Sequence, residues 1–430
     1  MRPWLGQSYE TAARVAEWLA AAVPRHADSK LARTFSARRG ILERYREWGR
    51  VHRDPARPLL WMHAASVGEA LMALPVAERV RSALPRAQIA FTFFSPSAED
   101  MGHGTVFDFA DYIPFDSRHA VRVALDVLAP SALVFTKSDV WPELVAESTR
   151  RNVRLGLISA SMPEHSSRAT TRGSMFTREA YGALDGVGAA SEEDARALVN
   201  AGVHGDRVQV TGDTRYDQAW TRAHVSPRNQ DVVNTFTTGR PTIVAGSTWR
   251  GDEAALLPAF ARLREAVPAT RLIIAPHEVG AARISALGAA ARKSGAHVSL
   301  LGSSDVREAD VIIVDRVGVL ADLYALATVA YVGGGFHDAG LHSLVEPAVF
   351  RVPTIIGPLH AASRDAKLML AAGGTIAAQD ADALFIAARQ LLTDAGQRAS
   401  MSDAMGFVVS GELGAADRSF QIVRKLLGPM

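Results

Sequence analysis

YVGGGFHDAGLHSLVEPAVFRVPTIIGPLH, residues 331–360, holds three consecutive glycines, His337 and His342 five residues apart, Glu346, and an apolar run. Taken alone it reads as a phosphate cradle, a metal site, or a tight turn in a core. Its flanks decide the fold. VAYVGG (329–334) and VPTIIG (352–357) are short, near-continuous apolar runs with a helical pattern between them, the signature of parallel strands buried on both faces. PTIVAGS (241–247), TRLIIAP (270–276) and VIIVD (311–315) repeat the pattern upstream. A second set, PLLWMHA (58–64), QIAFTFF (88–94), ALVFT (132–136), VRLGLIS (153–159) and RVQVTG (207–212), fills the first half. Two such sets predict an α/β protein of two Rossmann-like domains, with ligands outside the carboxyl ends of the strands in a cleft between them. The polar stretch 221–241 reads as a linker, so we expect domains at 1–230 and 231–430. A length of 430 residues suits two cores better than one.

Composition narrows the class. Apolar residues make up 48% and charged residues 21%, ordinary globular usage. With no cysteine, disulfides, thiolate metal sites and cysteine nucleophiles are excluded. A formal charge of +2 is too small for bulk nucleic-acid binding, yet residues 25–57 carry ten Lys/Arg against four acids. Such an excess suits either a surface that meets phosphates or anionic lipid, or a solvated helix face with Glu43 and Glu47 pairing locally. The preceding YETAARVAEWLAAAVP has an apolar helical face interrupted by Arg14 and Glu17. It falls short of the roughly 20 apolar residues a membrane span needs, so at most it lies on a membrane surface. No signal peptide is visible.

The residues that follow each strand carry the chemistry. After the first comes HAASVGEALMALP, where Ser66 and Gly68 form a turn with exposed amides and Glu69 opens a helix. A carboxylate there either caps the helix or stands at the cleft as a general base toward an acceptor hydroxyl. Ser95 and Pro96 start a helix. TKSDVWPELV places Lys137 at a strand end, able to meet an anionic substrate group, and VTGDTRYD directs Arg215 toward the cleft.

In the second half, AGSTWRGDE offers a Gly-Ser-Thr turn at Ser247 and a helix start at Asp252 and Glu253, a place for backbone amides to hold an oxyanion. It does not match the Walker pattern, and no Gly-x-Gly-x-x-Gly follows the first strand. In the opening stretch the glycine run, Gly334 included, lets a ligand approach the backbone. Ser343, Leu344, Val345 and Glu346 lie at the next helix start, with Glu346 placed to accept from a ribose diol. His337 and His342 lack a third ligand of suitable spacing, so no metal site is expected.

Collinear motifs over residues 60–365 resemble the 3-deoxy-D-manno-octulosonic acid (Kdo) transferases: HAASVGE, FFSPSAED, DVWPELV, VTGDTRYD, AGSTWRGDE, VDRVGVLADLYALATVAYVGGGF and GLHSLVEPAVFRVPTIIGP. The resemblance implies a GT-B fold and transfer of Kdo from CMP-Kdo to a lipid A precursor, with no metal or other cofactor. It also implies a peripheral position on the cytoplasmic face of the inner membrane, although the usual transmembrane anchor is not visible. Glu69 is implied to be the general base. Pro276, His277, Val317, Gly318 and Val319, with residues 343–346, are implied to form the donor pocket. Departures are His277 for an arginine, Lys137 and Asp139 for a Glu-x-Glu pair, Arg215 for a lysine and Ser343 for an asparagine. Two alternatives remain: another GT-B enzyme, such as a UDP-sugar transferase or a nucleotide-sugar 2-epimerase, and a non-catalytic membrane-surface binding protein.

Overall fold

The structure, a computed structural model, describes residues 9–11, 13–15, 17–18, 30–104, 106–162, 171–225, 229–236, 239–338 and 340–428. The chain forms two compact units, Met1–Gln218 with Leu413–Met430, and Ala219–Glu412.

The first unit holds a parallel sheet of β1 (Leu59–Ala64), β2 (Gln88–Phe93), β3 (Phe109–Tyr112), β4 (Ala132–Thr136), β5 (Arg154–Ala160), β6 (Gly186–Ala189) and β7 (Val208–Val210), in the order β3-β2-β1-β4-β5-β6-β7. The central strands are largely apolar because helices cover both faces; every residue of β1, β2 and β4 is buried. Strand order reverses between β1 and β4, which puts the switch point of the sheet at the residues after Ala64 and Thr136.

The second unit repeats the plan with β8 (Thr242–Thr248), β9 (Arg271–Pro276), β10 (Val298–Leu300), β11 (Val311–Ile313), β12 (Val329–Val332), β13 (Thr354–Ile356) and β14 (Thr375–Ala377), ordered β10-β11-β9-β8-β12-β13-β14 and all parallel. Strand β9 sends Leu272 and Ile274 into one core and Ile273 and Ala275 into another, so both faces of the sheet are dry. The switch point here lies between β8 and β12, after Thr248 and Val332. All ten expected strands are present; β3, β6, β10 and β14 were not anticipated, and each is only three or four residues long.

Two expectations need correction. The division falls at 218/219 rather than near 230, because the helix Arg215–His224 runs through the start of the expected linker. The chain's end also leaves the second unit. The helix Ala415–Leu427 packs on β4, β5, β6 and the helix Val67–Ala83, burying Phe420, Ile422, Val423, Leu426 and Leu427. It fits because the sheet offers glycines beneath it. A Cβ on Gly156 would stand 2.6 Å from Leu426 Cδ1, and one on Gly186 2.9 Å from Ile422 Cγ2. Asp217 fixes the helix start, its carboxylate accepting from the amides of Gly414 at 2.8 Å and Ala416 at 3.0 Å.

The basic segment is also smaller as a surface than its charge count suggests. Arg38 is 4% exposed. Its guanidinium donates to the carbonyls of Ile113, Thr34 and Phe94 and lies over the Phe94 ring, and burial pushes its pKa down to about 10. Arg44 binds both oxygens of Asp111, while Arg53 and Arg57 donate to the carbonyls of Leu128 and Arg86. Four of the ten cations are thus held by backbone carbonyls and one internal carboxylate, which a charge count cannot foresee; Arg25 lies outside the described residues. The segment before them is tied down by polar groups. Tyr9 donates to Asp116 at 2.7 Å, and Glu17 accepts from Ser117 at 3.0 Å, leaving Trp18 71% exposed. Among the described residues no helix is long and apolar enough to cross a membrane.

Candidate functional site

In the first unit the switch point gathers Glu69, His63, Lys137 and Asp139. Strand β1 pairs with β4 in parallel, His63 opposite Phe135, so the loops that leave the two strands emerge side by side. Ser66 occupies the N-cap position of the helix Val67–Ala83 without a side-chain cap bond. Glu69 Oε2 instead reaches back past the cap and accepts the Ala65 amide at 2.7 Å. One oxygen thus anchors the turn, and the group stays half-buried at the strand end. Burial raises the pKa of its carboxyl; the Ala65 bond lowers it, the Asp139 charge raises it, and Lys137 and His63 lower it. Gly68, in the first turn of the helix, is exposed, and nothing lies within 4 Å of where its Cβ would stand.

Lys137 has φ +66, a left-handed conformation costing a side-chain-bearing residue about 1–2 kcal/mol. It is held there from both sides, its amide donating to Ile158 O at 2.9 Å and its carbonyl accepting from Ser161 at 3.3 Å. Strain of this kind concentrates where a side chain must be aimed. Arg215 differs from expectation. Its guanidinium binds Asp213 Oδ2 at 2.6 and 2.8 Å, so it holds its own loop rather than offering a bare charge.

In the second unit the switch point is organised by Asp252, which the sequence marks only as a helix start. Wholly buried, it accepts from the amides of Trp249 and Gly334 at 2.8 Å and of Phe336 at 3.2 Å, and from the Tyr331 hydroxyl at 2.8 Å. That carboxylate raises the pKa of Tyr331, burial being the larger cause. The glycine run serves the same packing. A Cβ on Gly333 would collide with Ser247 O, one on Gly334 with Gly340 O, and one on Gly335 would stand 2.5 Å from Gly357 N. The close approach expected of a ligand is made by the protein's own backbone, and the Gly334 amide is committed to Asp252. Ser247 is left-handed at φ +54, so the irregular end of β8 carries strain like that at Lys137.

Trp249 stands over this floor as the middle of a stack of rings. His277 lies 4.5 Å from it at 25°, and His337 4.3 Å at 14°, while Trp249 Nε1 donates to His342 Nε2 at 3.1 Å. Burial and the neighbouring His277 lower the pKa of His342. The histidines that suggested a metal in the sequence are here partners of an indole. His277 is exposed at the rim beside the buried Pro276.

The remaining donor candidates separate into two groups. Val317 is 78% exposed and Gly318 has φ +87, while Val319 is buried. This loop is held by Arg222 and Asn229, which donate to Gly318 O at 2.9 and 3.2 Å and to Asp322 at 3.1 and 2.7 Å. Ser343 is exposed, donates to Asp365 at 3.1 Å and accepts the Val345 amide at 3.3 Å; Leu344 is buried. Glu346 is half-buried, and among the described residues nothing donates a hydrogen bond to it. Burial raises the pKa of its carboxyl, with Arg222 opposing and Asp322 reinforcing. The sequence reading missed His63, Asp252, Trp249, Arg222 and Asn229. His63 and Asp252 share one legible signal, a polar side chain inside or just after an apolar strand; the other three have none.

Two parallel-sheet units with polar groups at the carboxyl ends of their strands define a protein of the GT-B class. The UDP-GlcNAc 2-epimerase of Neisseria meningitidis has the same fold, at TM-score 0.63 and 13% identity over 86% of this chain and 100% of that one. Within that class, a family profile described as 3-Deoxy-D-manno-octulosonic-acid transferase (kdotransferase) matches residues 35–218. The 3-deoxy-D-manno-octulosonic acid transferase of Bordetella pertussis is 30% identical over 89% of this chain and 91% of its own length. That of Aquifex aeolicus is 28% identical over 70% and 76%. The chain belongs to the 3-deoxy-D-manno-octulosonic acid transferase family and is a Kdo glycosyltransferase of lipopolysaccharide biosynthesis.

Proposed function

We propose that the chain transfers Kdo from CMP-Kdo to a phosphorylated lipid A precursor by an inverting displacement in which Glu69 is the general base. The acceptor oxygen forms the new bond to the anomeric carbon as its proton passes to Glu69, and the bond to the phosphate oxygen breaks with its electron pair leaving on CMP. The observation that carries this reading is the Glu69 carboxylate. It is anchored through one oxygen at the switch point, with its pKa raised by burial; a stronger base at neutral pH is what proton abstraction requires.

The donor reading rests on the second unit. Glu346, with no protein donor among the described residues, is free to accept from a ribose diol. The exposed Val317–Gly318 loop, with Pro276, His277 and the residues at 343–345, borders the nucleotide, and Ser247 and Gly334 shape the floor beneath it. The acceptor is assigned to Ser66, Gly68 and Lys137 around Glu69, with Arg215 ordering the loop behind them. Exposed Arg33 and Arg50, with Trp18, suit a peripheral contact with an anionic membrane on the cytoplasmic face of the inner membrane.

The test is Glu69→Gln, assayed as acceptor-dependent CMP release from CMP-Kdo. Turnover falls by about 100-fold or more while CMP affinity is unchanged; turnover close to the parent protein's removes Glu69 as the base. Titration with CMP and UDP separates this reading from a UDP-sugar enzyme, since tighter binding of UDP contradicts it.

A further inference from the structure

We propose that the Tyr324 hydroxyl is a second ribose contact, donating to the same ribose hydroxyl that donates to Glu346, so that the two side chains together select a ribonucleotide. The proposal rests on the reading of Glu346 as the ribose acceptor.

Tyr324 opens the turn Tyr324–Leu326, which follows the Val317–Val319 loop and the short helix Leu320–Leu323. It is 2% exposed, and its ring belongs to an apolar cluster with Val244, Val319 and Ala330, surroundings that call for no hydroxyl. The hydroxyl reaches from that cluster to the face of β8. A Cβ on Gly246 would collide with it, and Gly246 pairs with Val332 of β12 across the switch point of this sheet. The same turn packs on the helix Val345–Val349, which carries Glu346. The fold thus sets a phenol toward the carboxyl end of β8, on the side where the Glu346 helix lies.

The protein satisfies neither polar group. Among the described residues the Tyr324 hydroxyl has no hydrogen-bond partner, the Glu346 carboxylate has no donor, and the two do not bond to each other. A buried donor without an acceptor costs stability, so a tyrosine in this place points to an acceptor brought by a ligand. The nearby cation is already engaged, since Arg222 donates to Gly318 O and Asp322. A group that serves both side chains must accept from the phenol and donate to the carboxylate, and a sugar hydroxyl does both. An ionised phosphate oxygen only accepts and would be repelled by Glu346. Burial, and then the Glu346 charge, hold the Tyr324 pKa well above its usual value, so the phenol keeps its proton and remains a donor at neutral pH.

The experiment is calorimetric titration of the full chain with CMP and with its 2′-deoxy and 3′-deoxy analogues. The parent binds one of the two analogues at least about tenfold more weakly than CMP, because the missing hydroxyl leaves both side chains unpaired. Tyr324→Phe weakens CMP and the other analogue by about 3- to 10-fold. It leaves the discriminated analogue's affinity unchanged, since the contact removed is already absent there. The free variant melts no lower than the parent, because no bond within the protein is lost. The proposal is overturned if the parent does not discriminate, as when only a water lies between the two groups. It is equally overturned if Tyr324→Phe leaves CMP affinity unchanged, weakens all three nucleotides alike, or lowers the melting temperature of the free protein. Glu346→Gln separates the two readings. If it weakens CMP while Tyr324→Phe does not, only the tyrosine contact fails; if it leaves CMP affinity unchanged, the ribose reading of Glu346 fails and this proposal with it.

Discussion

Replacing Gly335 with alanine tests what the glycine run is for. The new Cβ would stand 2.5 Å from Gly357 N and 2.6 Å from its Cα. An ordinary contact needs almost 1 Å more, and the obstacle is main chain at the end of the neighbouring strand, which cannot rotate aside. The loops after β12 and β13 must move apart, breaking the bond from the Leu359 amide to Gly335 O at 2.9 Å. Overpacking of this kind costs about 3 kcal/mol. For a unit of roughly 200 residues each kcal/mol lowers the melting temperature by about 2–4 °C, so Gly335→Ala should lower it by about 6–12 °C. Gly373→Ala is the control. Its φ is +81 and nothing lies within 4 Å of its Cβ site, so it suffers only the left-handed penalty of about 1 kcal/mol, or 2–4 °C. Thermal unfolding of the full chain followed by circular dichroism checks both. A Gly335→Ala shift no larger than that of Gly373→Ala refutes the claim that the run exists for backbone packing.

Loss of turnover in Glu69→Gln is expected as set out above. Burial raises the pKa of Glu346 above its unfolded value, so its ionisation costs the folded protein stability, a cost absent below the unfolded carboxylate range that appears as pH rises through the folded value. Glu346→Gln should therefore raise the melting temperature at pH 7.5 but not at pH 4, by calorimetry, while weakening CMP binding by about tenfold or more. Under the C-terminal helix, Gly156→Ala costs about 1–2 kcal/mol and Leu426→Ala about 2–3. Because the new methyl occupies the space Leu426 vacates, urea unfolding of the double variant should show at least ~1 kcal/mol less than the sum; strict additivity would contradict the contact.

Much of the architecture was legible because a strand buried on both faces must be apolar along its length, and that is a local property of the sequence. LLWMHA, LIIAP and VAYV announce parallel sheets wherever they occur. Placing Glu69 at a strand's carboxyl end required no more than counting from the first run, and collinear motifs supplied the family. The strands that escaped notice, such as GVGA at 186–189, are too short and glycine-rich to show a pattern.

What the sequence left open depended on partners distant along the chain. An arginine's charge is evident, but that Arg38 is consumed by Ile113 O and Phe94 O, 75 and 56 residues away, follows only from the fold. The apolar stripe of the last helix is visible in AADRSFQIVRKLL, yet the surface that receives it is made by glycines more than 200 residues earlier. Asp252 looks like any helix-start acid until the fold brings the Tyr331 hydroxyl and the amides of Gly334 and Phe336 to it. Periodicity and strand-end position, being short-range, were determined by the sequence alone. Hydrogen-bond partners and packing seats were decided by the tertiary structure, because a buried donor, acceptor or side chain is satisfied by whatever the completed fold sets beside it.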